Sequence, residues 1–367
     1  MILVKAKRDE LLAPLSAVSG IIERRHTLPI LSNVLIEKGS DSLSFLATDI
    51  EIQITAKTAM TDSGEAKSAT VGARKLVDIL RALPEGEVTL TLQDKRLQVK
   101  SGKSRFTLQS LPAEDFPRLA KPSGDISRFS LPQKALRKLL ALVQYAMAQQ
   151  DIRYYLNGLL MIVEDKQLKL VATDGHRLAY CATSLDSDMP RQEVIVPRKT
   201  ILELSKQLAD SDEPVNVEIS ATQAAFSFAN VELISKLVDG KFPDYTRVIP
   251  KDHPNHMTVG RETLRQALSR AAILSNEKFR GVRWVLSENS LKIVSSNAEQ
   301  EEAQEEVEVK YSGASLDIGF NVTYLLDVLN NVSGSDIQAS FGDSASSALI
   351  TFPTEGDFKY VVMPMRI

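Results

Sequence analysis

The sequence predicts an α+β fold in which three repeated domains each place two helices on antiparallel sheets. Two observations support this prediction. Three different segments recur in the same order at a spacing near 125 residues, in a chain of 367. Within each repeat, helical apolar spacing alternates with short period-two runs joined by tight turns, which favours antiparallel over parallel sheet.

The recurring segments define the repeats. One residue from each copy identifies them: Ala73, Pro197 and Asn321; Asp49, Asp174 and Asn297; Leu11, Leu136 and Leu264. A solenoid repeats every ~20–50 residues, so this period is that of a domain. Stretches 121–127 and 250–256 are rich in Pro, Gly and Asp, as linkers are. We therefore expect domains over residues 1–125, 126–254 and 255–367.

Each repeat has the same internal order. It opens with an amphipathic helix, such as 131–147, and continues with alternating strands, such as 43–56 and 168–182. A second helix follows, which in the first repeat has Leu76, Ile79, Leu80 and Leu83 at helical spacing. Further strands, such as 88–111, close the unit.

Composition narrows the class of protein. Hydrophobic residues make up 43% and charged residues 25%, which excludes bulk disorder, collagen and coiled coil. The longest uncharged stretch, 219–231, is too short to span a bilayer, so we expect no membrane partner. The single cysteine, Cys181, excludes an internal disulfide and fits a reducing cytoplasm.

Charge is unevenly distributed. The formal net charge is −3, yet four of the six predicted helices are net positive, most clearly the one with Lys134, Arg137 and Lys138. A solvated face would explain any one of them, but recurrence at corresponding positions predicts helices gathered around something anionic. An acidic run at 299–308 and a basic segment at 100–105 are suited to meet in an oligomer.

Each candidate catalytic motif in the sequence lacks a residue that its chemistry requires or has a simpler explanation. The Gly102 GKS lacks the P-loop glycine, because position 97 is Leu. His253 and His256 are separated by a Pro and have no further ligands nearby. Cys181 has no evident base. Acid–base chemistry at 173–177 is an alternative, but the first repeat has TDIEI there, which favours a turn role for the Asp. We expect no catalytic residue, metal or cofactor.

Two segments indicate a binding surface instead. Residues 153–160, RYYLNGLL, combine a cation, two tyrosines and an apolar run. The terminal YVVMPMRI is either a final core strand or a surface whose flexible thioethers suit variable apolar peptides.

Long motifs also carry a resemblance: TLPILSN, SRFTLQSLPAEDFP, QDIRYYLNG, VATDGHRLA, VPRK, SKLVDGKFPDY, AAILSNEKFRGVR, the Glu-rich run and VVMPMR. With the tripled domain, they resemble the bacterial DNA polymerase III beta subunit family, the sliding clamps, along the whole chain. The resemblance implies the DNA-clamp fold and a non-enzymatic polymerase processivity factor. Two chains would form a head-to-tail homodimer, a ring around duplex DNA with helices lining the hole.

The resemblance also implies site residues. DNA contacts would be Arg25, Arg74, Gln150, Tyr154 and Tyr155. The partner-peptide pocket would comprise Leu156, Thr173, Gly175, His176, Arg177, Leu178, Pro243, Arg247, Val248, Asn321, Tyr324, Ser347, Val361, Val362, Met363, Pro364, Met365 and Arg366. The dimer interface would join Lys75, Lys103, Arg105, Phe106 and Leu108 to Ile273, Leu274, Glu299, Glu301, Glu302, Glu305 and Glu306.

The implied partners are double-stranded and primed DNA, a second copy of the chain, the DNA polymerase III catalytic subunit, and the clamp-loader complex. Other polymerases and repair factors would bind through short apolar motifs, in the bacterial cytoplasm at the nucleoid. We expect the apolar pocket residues to converge, with His176 and Arg177 at the rim as hydrogen-bond donors to the peptide. Ile367 and His26 depart from the family pattern. The rival hypotheses are an enzyme at 173–177 and a protein scaffold that does not bind DNA.

Overall fold

The computed structural model describes residues 2–23, 28–60 and 66–367. Six α-helices occur in these ranges: α1 (Arg8–Ser19), α2 (Ala73–Ala82), α3 (Gln133–Val143), α4 (Arg198–Gln207), α5 (Arg261–Ala271) and α6 (Val322–Asn331). They lie where the repeats predict two helices each. None of the helices in these ranges is long and apolar enough to cross a membrane.

The same ranges contain 23 β-strands, all paired antiparallel. They are β1 (Ile2–Lys7), β2 (Asn33–Lys38), β3 (Ser42–Thr48), β4 (Ile52–Ala59), β5 (Lys67–Gly72), β6 (Glu87–Gln93), β7 (Arg96–Ser101), β8 (Ser104–Gln109), β9 (Ser127–Pro132), β10 (Gly158–Thr173), β11 (Arg177–Pro197), β12 (Pro214–Ile219), β13 (Gln223–Phe228), β14 (Val231–Lys236), β15 (Asn255–Gly260), β16 (Gly281–Ser287), β17 (Ser290–Ser296), β18 (Glu302–Glu308), β19 (Lys310–Tyr311), β20 (Leu316–Asn321), β21 (Asp336–Phe341), β22 (Ala348–Thr351) and β23 (Asp357–Val362).

The chain forms two compact units. The first comprises Met1–Leu136 and Lys199–Leu237, and the second Arg137–Arg198 and Val238–Ile367. The first unit has an eight-stranded sheet, in the order β5-β2-β3-β4-β14-β13-β12-β9, and a four-stranded sheet, β1-β6-β7-β8. In the larger sheet, β4 of the first repeat pairs with β14 of the second, with Ile54 opposite Leu233.

The second unit repeats this plan. It has a seven-stranded sheet, β10-β11-β23-β22-β21-β15-β19, and a four-stranded sheet, β18-β17-β16-β20. Here β11 of the second repeat pairs with β23 of the third, with Leu178 opposite Val361. Neighbouring repeats therefore share sheets. For this reason the two compact units do not end at the predicted domain boundaries, and those boundaries stay predictions.

Helix patterning follows the sequence. In α2 the buried residues Leu76, Val77 and Leu80 form one face, while Arg74 and Lys75 are exposed. This is the stripe that apolar residues at three- and four-residue spacing create. The helices cover sheets whose inward side chains are apolar. In the second unit, for example, the fully buried Trp284 packs edge-on against Phe320.

The repeated Asp and Asn residues are turn residues, as predicted. Asp49 accepts the backbone N–H groups of residues 51 and 52, at 2.9 and 2.8 Å. Asp174 accepts those of residues 176 and 177, at 2.9 and 3.1 Å. Asn297 accepts those of residues 299 and 301, at 3.1 and 2.9 Å. A short polar side chain that satisfies its own turn explains why this position recurs.

Candidate functional site

The second unit contains an apolar pocket of about 410 Å³. Strands β10, β11 and β23 supply its floor, because the Leu178–Val361 pair places both side chains on one face of the sheet. Twelve of the predicted pocket residues line it: Leu156, Thr173, Gly175, His176, Arg177, Leu178, Pro243, Arg247, Val248, Ser347, Val361 and Met363. The structure therefore brings together segments that are up to about 200 residues apart.

The floor and the rim differ in exposure. Leu156, Leu178 and Val361 are buried and belong to one hydrophobic cluster with Phe242. At the rim, Val248 is 43% exposed and Met363 is 47% exposed. The pocket thus keeps large apolar side chains in contact with water, and an apolar ligand would cover them.

Arg177 is a structural residue of the pocket wall. Its guanidinium donates to Asp174 at 3.1 Å, to Asp327 at 2.6 Å and to the Tyr145 carbonyl at 2.7 Å. It also lies 4.3 Å from the centre of the Tyr324 ring, and its side chain is only 9% exposed. Arg177 lines the pocket, but two carboxylates and a carbonyl already accept three of its N–H groups. Its role as a hydrogen-bond donor to a peptide stays a prediction.

His176 does lie at the rim. Its side chain is exposed, and its backbone is fixed on both sides: its N–H donates to Asp174, and its carbonyl accepts from the Met363 N–H at 2.9 Å. The terminal segment is therefore attached directly to the turn at 173–177.

Six predicted pocket residues do not line the cavity. Asn321 caps α6, accepting from the N–H groups of residues 323 and 324, and Tyr324 covers Arg177. Val362 is fully buried. Pro364, Met365 and Arg366 border a separate depression, lined also by Arg283, Asp317, Ile318, Gly319, Ser344, Ala345 and Ile367.

The terminal residues are held on the four-stranded sheet of the third repeat. The Met365 N–H donates to the Gly319 carbonyl at 2.9 Å. A Cβ on Gly319 would come 2.7 Å from Cδ1 of Ile367, so only glycine leaves room for the tail there. Ile367, the departure from the family pattern, thus packs on a backbone surface outside the apolar cavity.

The predicted DNA-contacting residues have separate locations. Arg25 lies outside the described residues, as does His26. Arg74 is exposed and donates to the Ile22 carbonyl at 3.1 Å in the first unit. In the second unit, Gln150 and Tyr154 are exposed on one loop, Tyr154 by 58%. Tyr155 packs edge-on against Tyr154 but also lines the apolar pocket.

Most helix cations have acidic or carbonyl partners, which charge counting along the helices did not reveal. Lys134 pairs with Asp212 at 2.7 Å, and Lys138 pairs with the buried Glu355 at 2.7 Å. Lys199 bridges two acids of the first repeat, Glu23 and Asp49. Among the helix cations of the described ranges, the side chains of three residues have no ion pair or hydrogen bond: Lys75, Arg81 and Arg137.

The four-stranded sheet of each unit has two edge strands, β1 and β8 in the first unit and β18 and β20 in the second. At the β8 edge, Arg105 and Phe106 are exposed just after Lys103. The β18 edge has the opposite charge and carries Glu302, Glu305, Glu306 and Glu308. Glu305 is already paired with Arg270 at 2.6 Å.

The other predicted interface residues are also accessible. Lys75 is exposed and Leu108 is half-buried in the first unit. In the second, Ile273 is 76% exposed beside the half-buried Leu274, and Glu299 and Glu301 are exposed. An isoleucine exposed to this degree at a helix end has no role in its own core.

Comparison with known proteins identifies the family. Models of the N-terminal, central and C-terminal domains of the DNA polymerase III beta subunit match residues 3–120, 130–244 and 246–366. This chain belongs to the DNA polymerase III beta subunit family. It has that family's three-domain clamp fold, and the three matches follow the three repeats in order.

Relatives are similar to this chain in sequence over nearly their full length. The beta sliding clamp of Escherichia coli K12 is 47% identical over 362 residues, covering 98% of this chain and 99% of the relative. A Pseudomonas aeruginosa DnaN sliding clamp solved with griselimycin is 46% identical, with a TM-score of 0.95 and complete coverage of both chains. Caulobacter crescentus pol III beta is 38% identical, with a TM-score of 0.92 and 99% coverage of both.

In this member of the sliding clamp family, four pocket residues were not predicted as such from the sequence: Arg153, Phe242, Tyr245, and Tyr155, which was assigned to DNA. Phe242 and Tyr245 flank the predicted Pro243 in KFPDY, which was a usable signal. Arg153 precedes the two loop tyrosines. Its guanidinium donates to Asp151 at 3.0 and 2.8 Å, and these hydrogen bonds lower the pKa of Asp151 to about 2.

The rejected catalytic motifs have structural explanations. Burial raises the pKa of the Cys181 thiol, which favours the unreactive protonated form. His253 contacts the Ser347 carbonyl at 2.8 Å, whereas His256 contacts Ser340, so the two histidines do not share a site. In the described ranges, no three His, Cys, Asp or Glu side chains are grouped as metal ligands.

Proposed function

We propose that this chain is a DNA polymerase processivity factor. Two copies close head to tail into a ring around duplex DNA, and the apolar pocket tethers proteins that act on that DNA. The observation that carries this proposal is the pair of unpaired sheet edges, basic at β8 and acidic at β18. The proposed domains are 1–125, 126–254 and 255–367.

Ring closure follows from these edges. An exposed edge strand presents free N–H and C=O groups that another strand can pair with, and opposite charges select the partner edge. When β8 of one chain meets β18 of the other, the contact is heterologous, and it closes when two copies complete the ring. Phe106 and Ile273 would add apolar burial to this interface.

The DNA contact needs little affinity, because a closed ring is retained by topology. Arg81 and Arg137 are exposed helix cations available for phosphates, together with Arg74. Duplex DNA carries one charge per roughly 1.7 Å of axis, so such contacts attract it without reading sequence. Tyr154 is exposed enough to stack on an unpaired base.

The pocket suits a short apolar peptide. Its buried floor would receive Leu or Phe anchors, and the exposed thioether of Met363 can adapt to different side chains. Such a contact is small, so we expect micromolar affinity, roughly −8 kcal/mol. The proposed partners are the polymerase III catalytic subunit, the clamp loader, and other polymerases and repair factors. The protein would act without catalysis in the bacterial cytoplasm, at the nucleoid.

Retention on circular DNA tests the function. The clamp loader would place the protein on nicked circular DNA, and gel filtration would then separate bound from free protein. A ring should stay on the circle and dissociate after linearisation. An enzyme or a protein scaffold would bind circular and linear DNA equally. Equal retention before and after linearisation would therefore refute the proposal.

The doubly substituted Ile273→Ala, Leu274→Ala variant is the control for ring closure. It should show half the mass of the wild type in light scattering, unchanged circular dichroism and no retention on the circle. A wild type that is monomeric at micromolar concentration would refute the ring.

A further inference from the structure

The second and third repeats each have a loop between the first helix and the strand that follows it, and the two loops occupy corresponding places. Strand β10 begins at Gly158 opposite Pro197, and β16 begins at Gly281 opposite Asn321. Residues 148–157 and 275–280 lead into these strands from the helical turns 144–146 and 272–274.

The two loops are also anchored alike. The backbone N–H of Arg198 donates to the Asn157 carbonyl at 3.0 Å, and that of Val322 donates to the Arg280 carbonyl at 2.7 Å. At each loop, an arginine side chain donates to a carbonyl near the end of the helical segment. In the second repeat it is Arg198 of α4, to the carbonyl of residue 147 at 3.3 Å, and in the third it is Arg280 of the loop itself, to that of residue 272 at 3.1 Å. The internal repeat therefore extends to these loops.

The third-repeat loop exposes an aromatic ring beside a cation. Phe279 is 57% exposed, and the Lys278 ammonium lies 5.4 Å from its ring centre. Asn276 holds the loop in shape by accepting the N–H groups of Lys278 and Phe279 at 3.0 and 3.1 Å. Core packing does not explain an exposed phenyl ring on a fixed loop. The corresponding loop exposes Tyr154 beside Arg153.

We propose that the loop at 275–280 contacts the single-stranded DNA that adjoins the duplex at a primer end. Lys278 pairs with a phosphate, and Phe279 stacks on an unpaired base. A cation beside an aromatic platform is the combination that binds single strands without sequence preference. Glu277 opposes phosphate binding, and Arg280 is engaged with the backbone, so Lys278 is the loop's available positive charge. This inference rests on the proposed function, and its test separates the two.

Equilibrium binding of the full-length protein would be measured on two labelled DNAs over a range of salt. One is a blunt duplex, and the other is the same duplex with a single-stranded overhang. Lys278→Ala should weaken binding of the overhang DNA and reduce its salt slope by about 0.7, with little effect on the blunt duplex. Phe279→Ala should weaken only the overhang DNA, by roughly 5- to 100-fold. Phe279→Tyr should keep the stacking and bind like the wild type, and Glu277→Gln should strengthen the overhang complex.

Lys310→Ala is the matched control, because it removes an exposed cation of the same repeat outside the loop. Arg74→Ala and Tyr154→Ala are the reference variants. If they lose binding while Lys278→Ala and Phe279→Ala match Lys310→Ala, the loop inference is overturned and the proposed function stands. If none of the four loses binding, the proposed DNA contact itself fails. A monomeric Phe279→Ala variant would instead assign the loop to the dimer and overturn the inference.

Discussion

Replacing Arg177 by Ala should destabilise the second unit and weaken its pocket. The substitution removes hydrogen bonds to Asp174, Asp327 and the Tyr145 carbonyl. Removing one partner of a buried ion pair costs about 3–5 kcal/mol. Asp327 is one-third exposed, so water would recover part of the loss, and we expect a cost of about 3 kcal/mol. Peptide affinity should fall about tenfold, or 1.4 kcal/mol, because His176 and Leu178 lose their support.

Urea unfolding followed by tryptophan fluorescence measures this cost. The only tryptophan, Trp284, is buried in the second unit and reports on it directly. Arg247→Ala is the matched control, because Arg247 also lines the pocket but is 86% exposed and pairs with Asp244 at the surface. It should change stability by less than about 0.5 kcal/mol. A double-mutant cycle with Asp327→Ala should give a coupling of about 1–3 kcal/mol. Equal unfolding midpoints for Arg177→Ala and Arg247→Ala would refute the reasoning.

Three further predictions follow from single contacts. Deleting Met363–Ile367 removes a pocket wall, so calorimetry with a Gln-Leu-x-Leu-Phe peptide should show that binding is lost, while light scattering still shows a dimer. Equal peptide affinity of the full-length and truncated proteins would show that the tail is not part of the binding site. The buried Cys181 thiol should resist thiol reagents at mildly alkaline pH until the protein unfolds, and prompt labelling of folded protein would contradict its burial. The Asp151 carboxyl should titrate near pH 2 by NMR, and near its ordinary 3.8 in Arg153→Ala. Because the pKa of Asp151 is lowered in the folded state, its contribution to stability is complete above about pH 3.8 and is lost as the pH falls through 2. A wild-type titration midpoint near pH 3.8 would show that Asp151 and Arg153 do not form an ion pair.

Local features of the fold were predictable from the sequence. Helices α2 and α5 follow from apolar residues at helical spacing, and the turns at Asp49 and Asp174 follow from their recurrence. These features depend on residues within a few positions of each other, so a one-dimensional pattern contains the information. The family motifs then indicated which segments form the pocket, including the terminal strand.

Only the tertiary structure decided how side chains are used. The ion pair of Arg177 with Asp327, 150 residues away, was not predictable from the sequence. The net charges of the helices likewise predicted more unpaired cations than the structure has, because acids such as Asp212 and Glu355 approach the helix cations from distant loops. The location of Tyr155 in the pocket and the opposite charges of the β8 and β18 edges also depend on strand order. The physical reason is that periodicity records which face of an element is buried, whereas the partner of a charged group is set by whichever segment folding brings within hydrogen-bonding distance.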